Sequence, residues 1–159
     1  MFVELETRGM LKLMLGCCKV YISESCSRAA ALVSIEKATK LYQGVAIVNK
    51  FEYEAYNLVG YIIVSEFTPN AIEEFGAFRK AVVAMVKATF DFIDLELHCG
   101  THPWPGVVGH VCFHLLAQTS LDETARLAKL VATDIGSSLQ VLTFLFTRAF
   151  SSSMEGQGI

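Results

Sequence analysis

The chain has 159 residues, 53% of them hydrophobic and only 18% charged, with a net charge of -3. That length suits one domain around one sizeable core. Without any run of Lys and Arg it lacks a phosphate-tracking surface, so nucleic-acid binding is not expected. A charged fraction below the usual ~25% points to a domain with one face meant for a partner domain or subunit. A membrane span is not expected: the longest charge-free run, residues 97–121, holds Pro103, Pro105, Gly106, Gly109, Gln118 and all four histidines. The five cysteines, Cys17, Cys18, Cys26, Cys99 and Cys112, are odd in number and include a vicinal pair without any C-x-x-C. Such usage fits reduced thiols and a cytoplasmic location.

Residues 1–12 lack periodicity and read as a leader. Cys18, Val20 and Ile22 then alternate with Lys19, Tyr21 and Ser23, the pattern of a half-buried strand. Ser23 to Ser27 offers N-caps, and Ala31, Leu32, Ile35 and Ala38 follow at helical spacing up to Gly44. Residues 45–51 and 60–65 read as two strands joined by a hairpin-like connection. Thr68-Pro69-Asn70 with Glu73 opens a long helix whose apolar stripe is Phe75, Phe78, Val82, Met85, Thr89 and Phe92. Residues 111–116 read as a fourth strand. Ser120 and Glu123 form a capping box, ahead of a helix with Ala128, Val131 and Ile135 inward and Gly136 as its stop. Residues 141–146 read as a fifth strand and residues 148–159 as a flexible tail, leaving one domain over 13–147. The order β-α-β-β-α-loop-β-α-β predicts an α/β (α+β) two-layer sandwich: a mixed sheet with helices on one face.

Residues 97–116 concentrate the chemistry: four histidines, two cysteines and the single tryptophan, with no Lys, Arg, Asp or Glu. His98, Cys99, His102, His110, Cys112 and His114 are of ligand type, and a strand would place His110, Cys112 and His114 on one face. Pairs at C-x-x-C or H-E-x-x-H spacing are missing, so no metal is expected. His102, in G-T-H-P, is the candidate catalyst: histidine takes and returns protons near neutrality, and a loop ahead of a strand is a common place for such a side chain. The plainer reading makes His98, His110 and His114 ordinary loop and strand residues and Cys112 a small buried hydrophobe. Cys99 as a nucleophile beside His98 and His102 is a remote alternative.

The run G-T-H-P-W-P-G-V-V-G-H-V-C-F-H resembles the G-x-H-P-R-x-G-x-x-D signature of the N-terminal subdomain of glutamate formiminotransferase. Matching blocks in order, C-K-V-Y-I-S-E, A-Y-N-L-V-G-Y-I-I-V, D-F-I-D-L-E-L-H, S-L-D-E-T-A-R-L-A-K and V-L-T-F-L-F, extend the resemblance over residues 15–147. It implies a ferredoxin-like fold and transfer of a formimino group from N-formimino-glutamate to tetrahydrofolate, a step of histidine catabolism and one-carbon metabolism. It further implies His102 as general base and no metal. Folate, as substrate, would sit in a groove between two facing sheets. Asn57, Gly100, Trp104 and Gly106 match its binding region, with Ser23 and Lys50 as further contacts. Four positions depart from the pattern: Trp104 and Leu58 stand where the family has arginine, Gly109 where it has aspartate, and Tyr21 where many members have asparagine. The family's second subdomain is not found in these residues, so a homodimer through the uncovered sheet face is the expected way to complete the groove.

Overall fold

The structure is a computed structural model describing residues 14–24, 29–67, 75–101, 106–117 and 119–146. Alternation sets the first strand, β1 (Met14–Ile22): Met14, Cys18, Val20 and Ile22 are buried beneath the helices, while Leu15, Cys17, Lys19 and Tyr21 take the opposite face. Helix α1 (Ala29–Lys40) buries Ala31, Leu32 and Ile35, as their spacing predicts. Strands β2 (Val45–Tyr53) and β3 (Leu58–Phe67) form a hairpin across a 3-10 turn, Glu54–Tyr56, which ends on Asn57 in the left-handed conformation (φ 47°). Asparagine tolerates that conformation better than most residues. Helix α2 (Gly76–Phe92), strand β4 (Val108–Leu115) and helix α3 (Leu121–Leu139) complete the fold.

The sheet order is β2-β3-β1-β4. The expected α+β sandwich is present, but the sheet is antiparallel at every pairing rather than mixed. The reason is topological: the α1 crossover carries β2 one position past β1, and the hairpin returns β3 into the gap. β1 and β2 therefore run parallel without being neighbours, which is the split β-α-β of a ferredoxin-like fold.

All three helices cover one face, α1 against α2 and α2 against α3. Phe75 at the N-cap and Phe78, Val82, Met85 and Thr89 of α2 are buried as expected, but Phe92 is exposed, because it ends the helix beyond the sheet-facing stripe. A bidentate pair ties α2 to α3, with Arg79 Nε 2.6 Å from Asp134 Oδ2 and Nη2 2.7 Å from Oδ1. Tyr61, fully buried on β3, donates its hydroxyl to Glu36 Oε1 at 3.0 Å; burial first, and then the Glu36 charge, push its ionisation far above the ordinary phenol range.

The capping box opens α3: Glu123 N donates to Ser120 Oγ at 3.2 Å and Ser120 N to Glu123 Oε2 at 2.8 Å. Ser120→Ala is expected to lower stability by about 1 kcal/mol, read from the denaturation midpoint at unchanged m-value. Two expectations fail further on. Gly136 does not stop α3, which continues to Leu139 and ends on Gln140 in the left-handed conformation (φ 54°). Residues 141–146 do not form a strand; they run back beside α3, where Thr143 Oγ1 reaches Ala132 O at 3.5 Å. Among the described residues no strand pairs with them, and propensity of this kind depends on a neighbouring strand. The leader, the caps at 25–28, the Thr68–Glu73 start of the second helix and the tail lie outside the described residues.

Candidate functional site

Among the described residues, one face of the sheet carries no helix, and one end of the sheet is crowded. At that end β1 runs out into Ser23 and Glu24, Asn57 leads into β3, and a 3-10 turn, Leu95–Leu97, delivers His98. Ser23, Glu24 and Asn57 are buried. The His98 Nδ1 atom lies 2.8 Å from the Ser23 carbonyl oxygen, and the Asn57 side-chain amide lies 3.3 Å from the same nitrogen. A carbonyl can only accept, so Nδ1 carries the proton, and in the neutral ring Nε2 is then the acceptor.

The residues on both sides of 102–105 are anchored here. Thr101 donates to Ala55 O through its amide (3.3 Å) and its hydroxyl (2.8 Å). On the far side, the Ser23 hydroxyl donates to Gly106 O at 2.8 Å and the Ser23 amide to Val107 O at 2.9 Å. Gly100 is required by close approach: a Cβ there would collide with the Tyr56 carbonyl oxygen and sit 2.8 Å from His98 Nε2. The oxygen belongs to backbone and cannot swing aside. Gly100→Ala is therefore expected to cost about 1–3 kcal/mol and to release the 99–101 segment, visible as faster amide exchange at Thr101.

Four of the sequence candidates, Ser23, Asn57, Gly100 and Gly106, thus converge with His98. His102 and Trp104 lie outside the described residues. Lys50 does not join the group. It turns to the helix side of the sheet, between Glu36 (3.5 Å) and Glu52 (3.0 Å) and over the Tyr61 ring. Burial works against its charge, but Glu52 and Glu36 more than offset this and hold the ammonium above its ordinary value. The reason is a register shift in β2 between Ile47 and Asn49, which reverses the inward and outward positions that follow.

On the bare face, His110, Cys112 and His114 do share one side of β4, opposite Tyr21, Lys19 and Cys17. Burial raises the Cys17 and Cys112 thiols, against the opposing pull of Lys19, and it lowers His114, which the Lys19 charge lowers further. Cys17, Cys18, Cys99 and Cys112 are free thiols. Among the described residues no three His, Cys, Asp or Glu side chains gather as a metal site, and none of the helices is long and apolar enough to cross a membrane. The same face carries a row of rings that the sequence reading did not single out. Tyr21 meets Phe51 at 5.7 Å and His110 at 6.3 Å between centroids, and Phe51 meets Tyr53 at 5.7 Å. The signal was present in F-E-Y, whose alternation puts Phe51 and Tyr53 on one side.

These features define a ferredoxin-like α+β domain with helices on one sheet face and a polar cluster at one sheet end. The chain belongs to the formiminotransferase family: residues 15–157 match the formiminotransferase domain, N-terminal subdomain. It is 51% identical over 140 residues, 88% of its own length, to a formiminotransferase cyclodeaminase-like protein of Arabidopsis thaliana, and it spans 46% of that relative.

Proposed function

We propose that this chain binds tetrahydrofolate in the cytoplasm and takes part in formimino transfer from N-formimino-glutamate, with His102 as the general base. The observation that carries this reading is the anchoring of the described residues before and after His102 in the chain. Thr101 before it and Gly106 after it are both tied to the sheet end where Ser23, Asn57 and His98 meet. As general base, His102 would take the proton from folate N5 as that nitrogen attacks the formimino carbon, and would return it to the leaving glutamate nitrogen. Asn57, Gly100, Trp104 and Gly106 would contact the folate. The bare sheet face forms one wall of the groove, and a second copy of the chain supplies the other; sedimentation at high micromolar concentration is expected to give a dimer, and a stable monomer there would contradict that part.

A second reading, folate binding without turnover, is favoured by Trp104, Leu58 and Gly109, which replace two arginines and an aspartate of the family pattern. An indole does not replace the bidentate grip of a guanidinium on a carboxylate. Incubation with N-formimino-glutamate and tetrahydrofolate separates the two. Glutamate release that requires both substrates supports transfer. Folate binding with no release assigns the chain to the second reading.

A further inference from the structure

Glu24 is the only charged side chain among the buried described residues, with an exposure of 0%. It follows Ser23 directly at the crowded sheet end, where the backbone is fixed on three sides. Ser23 donates to Val107 O through its amide (2.9 Å) and to Gly106 O through its hydroxyl (2.8 Å), and its carbonyl accepts from His98 Nδ1 (2.8 Å). An acid carried on so constrained a backbone has little freedom to swing out to water. Formimino transfer with His102 as base leaves this acid without a task, and a carboxylate withdrawn from water is costly to keep.

The rest of this sheet end is neutral or wet. Residues 97–116 contain no Lys, Arg, Asp or Glu. The acids of the adjoining turns, Glu54, Asp94 and Glu96, are exposed, so water and salt screen them. Glu24 is therefore the one described acid at this end that can act on a ligand without such screening.

We propose that Glu24 is the anion that receives the formimino group of the donor and makes the site selective for an amidinium over a neutral amide. This rests on the transfer reading above and adds to it the group that recognises the donor. An amidine is a strong base, so the formimino end of N-formimino-glutamate is a planar cation at neutral pH, with N–H donors on both nitrogens. A carboxylate offers about four acceptor positions, enough to serve protein donors and this cation together. Its pairing with a planar fork of charged N–H groups is short and oriented. The edge of a pterin ring also presents paired N–H donors, but it is neutral and leaves the charge uncompensated, which favours the cation as occupant. During transfer the terminal nitrogen travels with the formimino carbon. The bond from that carbon to folate N5 forms and its bond to the glutamate nitrogen breaks, while the contact of Glu24 with the terminal nitrogen persists from donor to product. Glu24 itself neither gains nor loses a proton.

N-formyl-glutamate is the neutral isostere of the donor, with oxygen in place of the terminal nitrogen. Isothermal titration of the parent protein is expected to show N-formimino-glutamate binding at least about tenfold more tightly than the formyl compound. Glu24→Gln keeps the shape and removes the charge; it should bring the two within about threefold by weakening the formimino compound, and leave tetrahydrofolate within about twofold of the parent. If that variant folds poorly, Glu24→Asp carries the test: it keeps the charge but withdraws it by one methylene, and should weaken the formimino compound about tenfold and the formyl compound less than about threefold. An acid with a structural role alone would weaken both glutamates alike. The proposal is overturned if the parent binds the two equally, if folded protein binds neither at millimolar concentration, or if Glu24→Gln keeps the preference or loses tetrahydrofolate instead. Tetrahydrofolate binding by protein that does not distinguish the two glutamates would retain the folate reading and reject this one. A preference for the formimino compound in protein that ignores tetrahydrofolate would do the reverse.

Discussion

Phe78→Ala is expected to lower the unfolding free energy by about 3–5 kcal/mol. Phe78 sits on the inward face of α2, 1% exposed, where the helix layer meets the two central strands and β4. Its ring stacks on Phe67 of β3 at 6.3 Å and 13°, and meets Phe113 of β4 edge-on at 6.3 Å and 85°. Its Cε1 fills the place of the side chain missing at Gly16 of β1, 2.6 Å from a would-be Cβ. Three strands thus contribute walls to one site, and none can close it alone when the ring is removed. The loss combines the transfer energy of the ring with the cavity left behind. Chemical denaturation at constant m-value measures it; a cost under about 1 kcal/mol would mean that the interface of α2 with the sheet is not packed as described.

His102→Ala is expected to reduce the rate of formimino transfer by about 10²–10⁴-fold, the usual contribution of a positioned general base. Affinity for tetrahydrofolate should change little, because a base acts on the proton in the transition state rather than on the bound ground state. The loss therefore belongs in kcat. His98→Ala makes a useful contrast. His98 Nδ1 donates to the Ser23 carbonyl at the sheet end, so its removal is expected to lower thermal stability as well as rate. A transfer rate that survives His102→Ala unchanged would remove His102 from the mechanism.

The sheet and helices were largely legible in the sequence because they follow local pattern. Cys18, Val20 and Ile22 alternate, Ser120 and Glu123 cap each other, and the Phe78–Val82–Met85 stripe repeats at helical spacing; each is visible within a few residues. What failed depends on distant neighbours. Residues 141–146 have strand composition, but an extended segment becomes a strand only beside a free edge. Gly136 looks like a helix stop, yet a single glycine costs a helix only about 1 kcal/mol and the flanking turns carry α3 through it. Lys50 was a ligand candidate by position, and the shift between Ile47 and Asn49 sends it to the other side of the sheet. The site was legible in part. Asn57, Gly100 and Gly106 stand out as residues, while their meeting with Ser23 and His98 comes from contacts spanning 41 to 83 positions that no local pattern encodes.

The central claim is that this member of the formiminotransferase family holds folate beside His102, and Trp104 provides the most direct probe. It is the only tryptophan and lies two residues from His102 in the chain. Titration of its fluorescence with tetrahydrofolate, corrected for inner-filter absorption, is expected to show saturable quenching at micromolar ligand. A flat response up to millimolar concentration, from protein that unfolds cooperatively, would contradict the folate reading.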